Sequence, residues 1–224
     1  MNSSNRPLAL VTGASGGLGA ELARELARRG HDLVLAARSV APMEALAAEL
    51  QAGGAVATVI AADLGKPGAA ATLAHDIASR GLVVDVLVNN AGLGALGRFD
   101  RIDPARIGEV VQVNIVALTE LTRLLLPGMV ARGRGRIMLV ASIAGYQPGP
   151  RMAVYFASKA YVRSLGEALA QELKGSGVTV NVLCPGATAT GFFEVAALPA
   201  GTTEGTRLRI SEVLEGREPI ATWR

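Results

Sequence analysis

Residues 8–19 read Leu-Ala-Leu-Val-Thr-Gly-Ala-Ser-Gly-Gly-Leu-Gly, and this stretch decides the fold. Its first five residues carry no charge, as a strand buried on both faces of a sheet requires. Gly13, Gly16, Gly17 and Gly19 follow. Leu18, Leu22 and Leu26 then recur every fourth residue, the period of a helix with one apolar face, and Gly30 ends it. A strand that turns through glycines into a helix leaves the first helical N–H groups free and the positive end of the dipole facing outward. That arrangement attracts an anion such as a pyrophosphate. Glycine suits the turn because it admits left-handed backbone angles and lets a ligand come close.

The same alternation continues along the chain. Strands are predicted at 33–37, 56–61, 84–89, 136–141 and 178–183. Helical patterns lie between them: 42–50, started by Pro42 and stopped by Gly53 and Gly54, then 67–79, 104–125 and 153–174. Strands separated by helices imply an α/β fold: a single doubly wound Rossmann-type domain with a mostly or wholly parallel sheet flanked by helices. The domain is expected to span 1–224, with a core of about 7–193 and a short variable C-terminal tail at 194–224. In that tail, 200–206 is polar and glycine-rich, 211–214 suits a short helix, and no final strand is expected before Arg224.

Composition narrows the class. Apolar residues make up 50% and charged residues 18%, which fits a folded globule rather than a disordered chain. A net charge of +3 does not argue for a nucleic-acid surface. The densest basic stretch, Arg132, Arg134 and Arg136, reads as a solvated turn, with phosphate contact as the alternative. The single cysteine, Cys184, cannot form an intrachain disulfide and reads as a small buried hydrophobe. His31 and His75 have no ligand partners nearby in sequence, so no metal site is expected. Residues 1–7 lack an apolar signal core, and no uncharged apolar run approaches the ~18 residues of a membrane span, so a cytoplasmic protein without a membrane partner is expected.

The chemistry concentrates in Tyr155-Phe156-Ala157-Ser158-Lys159. A tyrosine and a lysine four residues apart share one helix face. A free phenol titrates near ~10, too high for neutral-pH proton transfer, and a nearby ammonium favours the phenolate and lowers that value. Ser142 follows the fifth strand, 13 residues before Tyr155, and the carboxyl edge of the sheet can bring the two together. There a serine hydroxyl can hold and polarise a substrate oxygen. Tyr146 and Tyr161 are poor rivals, since Pro150 and Leu165 occupy the positions where each would need a lysine.

Further motifs stand at the other strand ends. The second strand ends Leu-Ala-Ala-Arg at 35–38, with no acid at Ala37 and with Arg38 next. Asp63-Leu64 follows the third strand, Asn89-Asn90-Ala91-Gly92 closes the fourth, and Pro185-Gly186-Ala187-Thr188-Ala189-Thr190 follows the sixth. Together with the wide glycine spacing and the Ser, Tyr, Lys set, these resemble the short-chain dehydrogenase/reductase family over about residues 7–193.

The resemblance implies an oxidoreductase that moves a hydride between a nicotinamide dinucleotide and a carbonyl or secondary alcohol, with Tyr155 as acid/base and Asn114, Ser142 and Lys159 as its catalytic partners. It places Asn114 where the family bends a helix and holds a water that links the lysine to solvent. It assigns the dinucleotide to Gly13, Ser15, Gly16, Gly17, Leu18, Gly19, Arg38, Asp63, Leu64, Asn90, Ala91, Gly92, Tyr155, Lys159, Pro185, Gly186, Thr188 and Thr190. Of these, Asp63 would border the adenine, although as bare sequence it suits a helix cap equally. Residues 185–190 would hold the nicotinamide carboxamide. NAD enzymes set an acid at the end of the second strand to accept the ribose 2′-hydroxyl. Here a guanidinium stands instead, which grips a 2′-phosphate, so NADP(H) is expected over NAD(H), with a solvated loop charge as the alternative for Arg38. The expected partners are a small, neutral carbonyl or alcohol and a second copy of the chain, as homodimer or homotetramer. A non-catalytic NADP(H)-binding regulator on the same fold is the second reading.

Overall fold

Seven parallel strands lie in the order β3-β2-β1-β4-β5-β6-β7. In the computed structural model, the described residues are 6–186 and, for the backbone alone, 220–222. The strands are β1 (Leu8–Thr12), β2 (Asp32–Ala37), β3 (Ala57–Ala61), β4 (Val84–Asn89), β5 (Gly135–Val140), β6 (Val178–Cys184) and β7 (Ile220–Thr222). The helices are α1 (Gly17–Arg28), α2 (Val40–Ala52), α3 (Ala69–Ser79), α4 (Pro104–Val111), α5 (Leu118–Ala131) and α6 (Ala153–Glu172). A π-helical segment, Gln112–Ala117, joins α4 to α5.

Both faces of the sheet are covered, as the uninterrupted apolar strands require. On one face Leu22 and Leu26 of α1 and Met43 and Leu46 of α2 bury against Val11, Leu35 and Val88. On the other, Leu73 and Ile77 of α3, Leu118 and Leu121 of α5 and Val162 of α6 bury against Leu10, Val34, Leu87 and Leu139. The strand order reverses between β1 and β4, and there the two windings diverge and open a crevice at the carboxyl edge.

Three elements depart from the sequence reading. A seventh strand exists: Ile220 pairs with Val182, Ala221 with Leu183 and Thr222 with Cys184. Three residues are too few to show a period, so the free edge of β6 supplies the signal that the local sequence lacks. The long helix runs on through Pro127 to Ala131 rather than ending near 125, held by the fully buried Met129. Helix α2 starts at Val40, two residues before Pro42; within the first turn a missing N–H costs nothing. The stretch Pro104–Ala131 is long and apolar enough by length and composition to cross a membrane. Here it lies against the sheet, with Val110, Ala117, Leu118 and Leu121 buried.

Candidate active site

The crevice is a cleft of about 670 Å³ along the carboxyl ends of the strands. From β2 to β5 it crosses three strand spacings, roughly 14 Å at ~4.8 Å each. At one end lie Arg38, Ser39, Asp63, Leu64 and Gly65; at the other Ser142, Tyr155, Lys159, Pro185 and Gly186; the glycine loop crosses between.

The glycine loop is fixed by backbone. Gly13 N–H donates to the Ala36 carbonyl at 2.7 Å. The Asn90 side chain donates to the carbonyls of Thr12 at 2.9 Å and Gly13 at 3.3 Å. Thr12, 1% exposed, accepts from the N–H groups of Asn90 and Ala91 at 3.0 and 3.1 Å. Thus Asn90 acts as a brace that holds the loop, and Thr12 is a supporting residue that the motif reading missed. Gly19 allows the close approach: a Cβ there would stand 2.3 Å from the Gly13 carbonyl oxygen. Helix α1 begins with no side-chain cap and no acid in its first turn, so its N-terminal dipole faces the cleft uncompensated. An uncapped helix end in the middle of a long cleft fits a dinucleotide carrying a pyrophosphate.

The other end is built from side chains. Ser142 follows β5 and opens a short 3₁₀ turn, Ile143–Tyr146, its Oγ accepting from the Ala144 N–H at 3.1 Å. Tyr155 on α6 lines the same cleft, and Ser142 is the side chain that opposes the upward shift of its phenol. Lys159 lies one turn on, 5% exposed, with Nζ 5.8 Å from the centroid of the Tyr155 ring and 2.8 Å from the Val140 carbonyl oxygen that it bonds. Burial pulls the Lys159 ammonium down to about 8. Burial also pushes the Tyr155 phenol up, opposed by the Ser142 hydrogen bond. In the protein alone Nζ is committed to a carbonyl and desolvation of the phenolate dominates; the expected lowering rests on the ammonium together with the positive charge of an oxidised nicotinamide.

Asn114 sits in the π segment, 1% exposed. Its Oδ1 accepts from the Leu93 N–H at 2.8 Å, and its Nδ2 donates to the Leu93 carbonyl and to Ser158 Oγ, both at 2.9 Å. Ser158 Oγ in turn donates to the Tyr155 carbonyl at 2.7 Å. The π segment therefore ties the β4 loop to the turn of α6 that carries Tyr155 and Lys159. Ser158 lay inside the quoted motif without an assigned role; its burial beside Asn114 reveals one.

Of the remaining expected residues, Ser15, Gly16, Gly17, Leu18, Ala91 and Gly92 line the cleft. Asp63 also lines it and does not cap a helix; its Oδ1 accepts from the Gly65 N–H at 3.2 Å, and Gly68 precedes α3. Arg38, at the rim, pairs with Glu109 of α4 at 3.3 Å, a partner with no local sequence signal. Thr188 and Thr190 lie outside the described residues. The catalytic end is further lined by Leu93, Val113, Ile143, Gln147, Met152 and Phe156. Cys184 is fully buried, and burial pushes its thiol up, as suits a small hydrophobe. Among the described residues no cluster of His, Cys, Asp and Glu could hold a metal ion.

Comparison with known proteins places this geometry. The model of the short chain dehydrogenase family matches residues 7–198. Ketoacyl reductase HetN of a Nostoc species is 39% identical over 177 residues, 79% of this chain and 62% of the relative. A very-long-chain 3-oxoacyl-CoA reductase of Anas platyrhynchos is 35% identical, covering 84% of this chain and 62% of the relative. The chain thus spans about three-fifths of the length of these two relatives. A short-chain dehydrogenase from Sphingobium yanoikuyae, solved in complex with NADPH, superposes with a TM-score of 0.89 at 33% identity, over 96% of this chain and 86% of that one.

Proposed function

The chain belongs to the short-chain dehydrogenase family, and on that premise we propose that it is an oxidoreductase acting between NADP(H) and a carbonyl or secondary alcohol, with Tyr155 as acid/base. One observation carries the reading: Ser142, Tyr155 and Lys159 line one cleft with an uncapped helix N-terminus, the Lys159 ammonium 5.8 Å from the centroid of the Tyr155 ring.

The cofactor supplies the hydride, or takes it in the reverse direction. The residues of this chain handle the oxygen and its proton. Ser142 Oγ donates to the substrate oxygen and fixes its place. Tyr155, whose phenol is held up by burial, is protonated at neutral pH and gives its proton to the oxygen as negative charge develops there. Lys159, mostly cationic at pH 7 with its value at about 8, stabilises the phenolate left behind. Asn114 and Ser158 hold the turn of α6 that positions both. This protonation pattern favours reduction. The apolar lining near Tyr155, with Gln147 as an uncharged polar group, suits a neutral, moderately apolar carbonyl.

At the far end Arg38 and Ser15 receive the 2′-phosphate, with no acid at Ala37 to repel it; the NADPH bound by the Sphingobium relative supports this choice. A homodimer through α5 and α6 completes the reading, supported by the exposed Leu124, Val130 and Tyr161 on those helices. Incubating the purified protein with NADPH and a panel of neutral ketones and aldehydes tests the proposal. The expected result is NADPH oxidation with at least one carbonyl, faster than with NADH. Tight NADPH binding without turnover on any carbonyl would instead establish a non-catalytic binder.

A further inference from the structure

Glu109 is absent from the motifs that define the cleft, yet it meets the residue expected to choose the cofactor. It lies on α4, 71 residues from Arg38, and its Oε1 stands 3.3 Å from Arg38 Nη1. Its Oε2 accepts from Arg106 Nη1 at 2.6 Å, and Arg106 is itself anchored by Nη2 to the Gly94 carbonyl at 2.7 Å. The carboxylate is therefore tethered from behind and stays at the rim when Arg38 moves. The cleft wall is thin here: a Cβ on Gly65, a lining residue, would stand 3.4 Å from Glu109 Cγ.

We propose that Glu109 sets the cofactor discrimination of this site by competing with a 2′-phosphate for the Arg38 guanidinium. The inference rests on the NADP(H) reading above. The end of β2 lacks the acid that would reject a 2′-phosphate, but the fold delivers one from α4 to the same guanidinium. A carboxylate at that place repels a 2′-phosphate and has no charge to repel on a 2′-hydroxyl. The two charges oppose each other: Arg38 draws NADPH, and Glu109 weakens that preference while tolerating NADH. Both side chains are partly exposed, 55% for Arg38 and 30% for Glu109, so solvent screens the competition and limits it to a modest factor.

Fluorescence titration of the full chain with NADPH and with NADH, at low salt, reads the effect directly. Glu109→Gln is expected to tighten NADPH about three- to tenfold and to change NADH by less than about twofold. In the Arg38→Ala background the same change is expected to give no gain. Unchanged or weaker NADPH binding by Glu109→Gln, equal tightening of both cofactors, or a gain that persists without Arg38 would each overturn the proposal. Glu109→Ala, with the same expected result, guards against a folding defect peculiar to glutamine. Wild-type protein that binds NADH as tightly as NADPH, with Arg38→Ala altering neither, would overturn the NADP(H) reading itself. A wild-type preference for NADPH that Glu109→Gln leaves unmoved would overturn the Glu109 inference alone.

Discussion

The two ends of the cleft are made of different material. The glycine loop and the tips of β1 and β4 present backbone, braced by Thr12 and Asn90. The end at β5 and α6 presents side chains: Ser142, Tyr155 and a buried lysine that, among the described residues, has no carboxylate bonded to it. A backbone surface is sensitive to added atoms, and its pull on charge comes from fixed dipoles rather than from a titrating group. A side-chain surface is sensitive to charge, and burying that charge costs stability. The proposed proton chemistry therefore sits where a charge is buried, and the proposed cofactor grip sits where side chains brace the backbone.

The largest expected effect tests that contrast at Lys159. Lys159→Met should lower kcat by about 10³-fold, measured as NADPH oxidation at saturating substrate. The same change should stabilise the cofactor-free protein at pH 7 by about 1 kcal/mol, after the lost bond to the Val140 carbonyl is set against relief of the buried charge. The sign follows from the folded value of about 8 lying below the ordinary 10.5. Between those values the unfolded chain holds more protons, so native stability rises with pH across the window. The penalty is complete below it, and the advantage of Lys159→Met fades as pH climbs from 8 towards 10.5. Urea unfolding at pH 7 and at the top of that window checks it.

On the backbone side, Gly19→Ala should cost about 3 kcal/mol in urea unfolding, because its methyl would stand 2.3 Å from the Gly13 carbonyl oxygen and 2.6 Å from Asn90 Nδ2. Between the two ends, Asn114→Leu should cost about 2 kcal/mol, since it strands the buried N–H of Leu93 and removes the amide that donates to the Leu93 carbonyl and to Ser158 Oγ. It should also reduce kcat more than it weakens NADPH binding, as a joint behind Tyr155 would. Gly16→Ala is the smallest in stability and the sharpest control. Its Cβ meets no atom within 4 Å, so unfolding should shift by less than about 0.5 kcal/mol, while the methyl entering the cleft weakens NADPH binding measurably in the same titration.

The backbone end was the more legible in sequence, because a strand, a glycine turn and a helix follow one another within residues 8–28 and state their geometry locally. Ser142, Tyr155 and Lys159 were legible as residues, and the cleft does gather them. Their electrostatics were not: the direction of the Tyr155 shift depends on how deeply the phenol is buried and on where Nζ finds its carbonyl, which spacing does not encode. Asn114 showed as a lone amide among apolar neighbours, but its partners Leu93 and Ser158 come from 21 and 44 residues away. The pairing of Glu109 with Arg38 is equally non-local. Strand β7 escaped because three residues on an existing sheet edge need little of their own sequence.

The central claim is that the proton reaching the reduced carbonyl comes from the Tyr155 hydroxyl. Single-turnover reduction of an accepted ketone by Tyr155→Phe, with NADPH saturating, measures this most directly. The account predicts a fall of about 10²- to 10⁴-fold in the rate, with NADPH affinity changed by less than about threefold. Turnover by Tyr155→Phe within about threefold of wild type would contradict it.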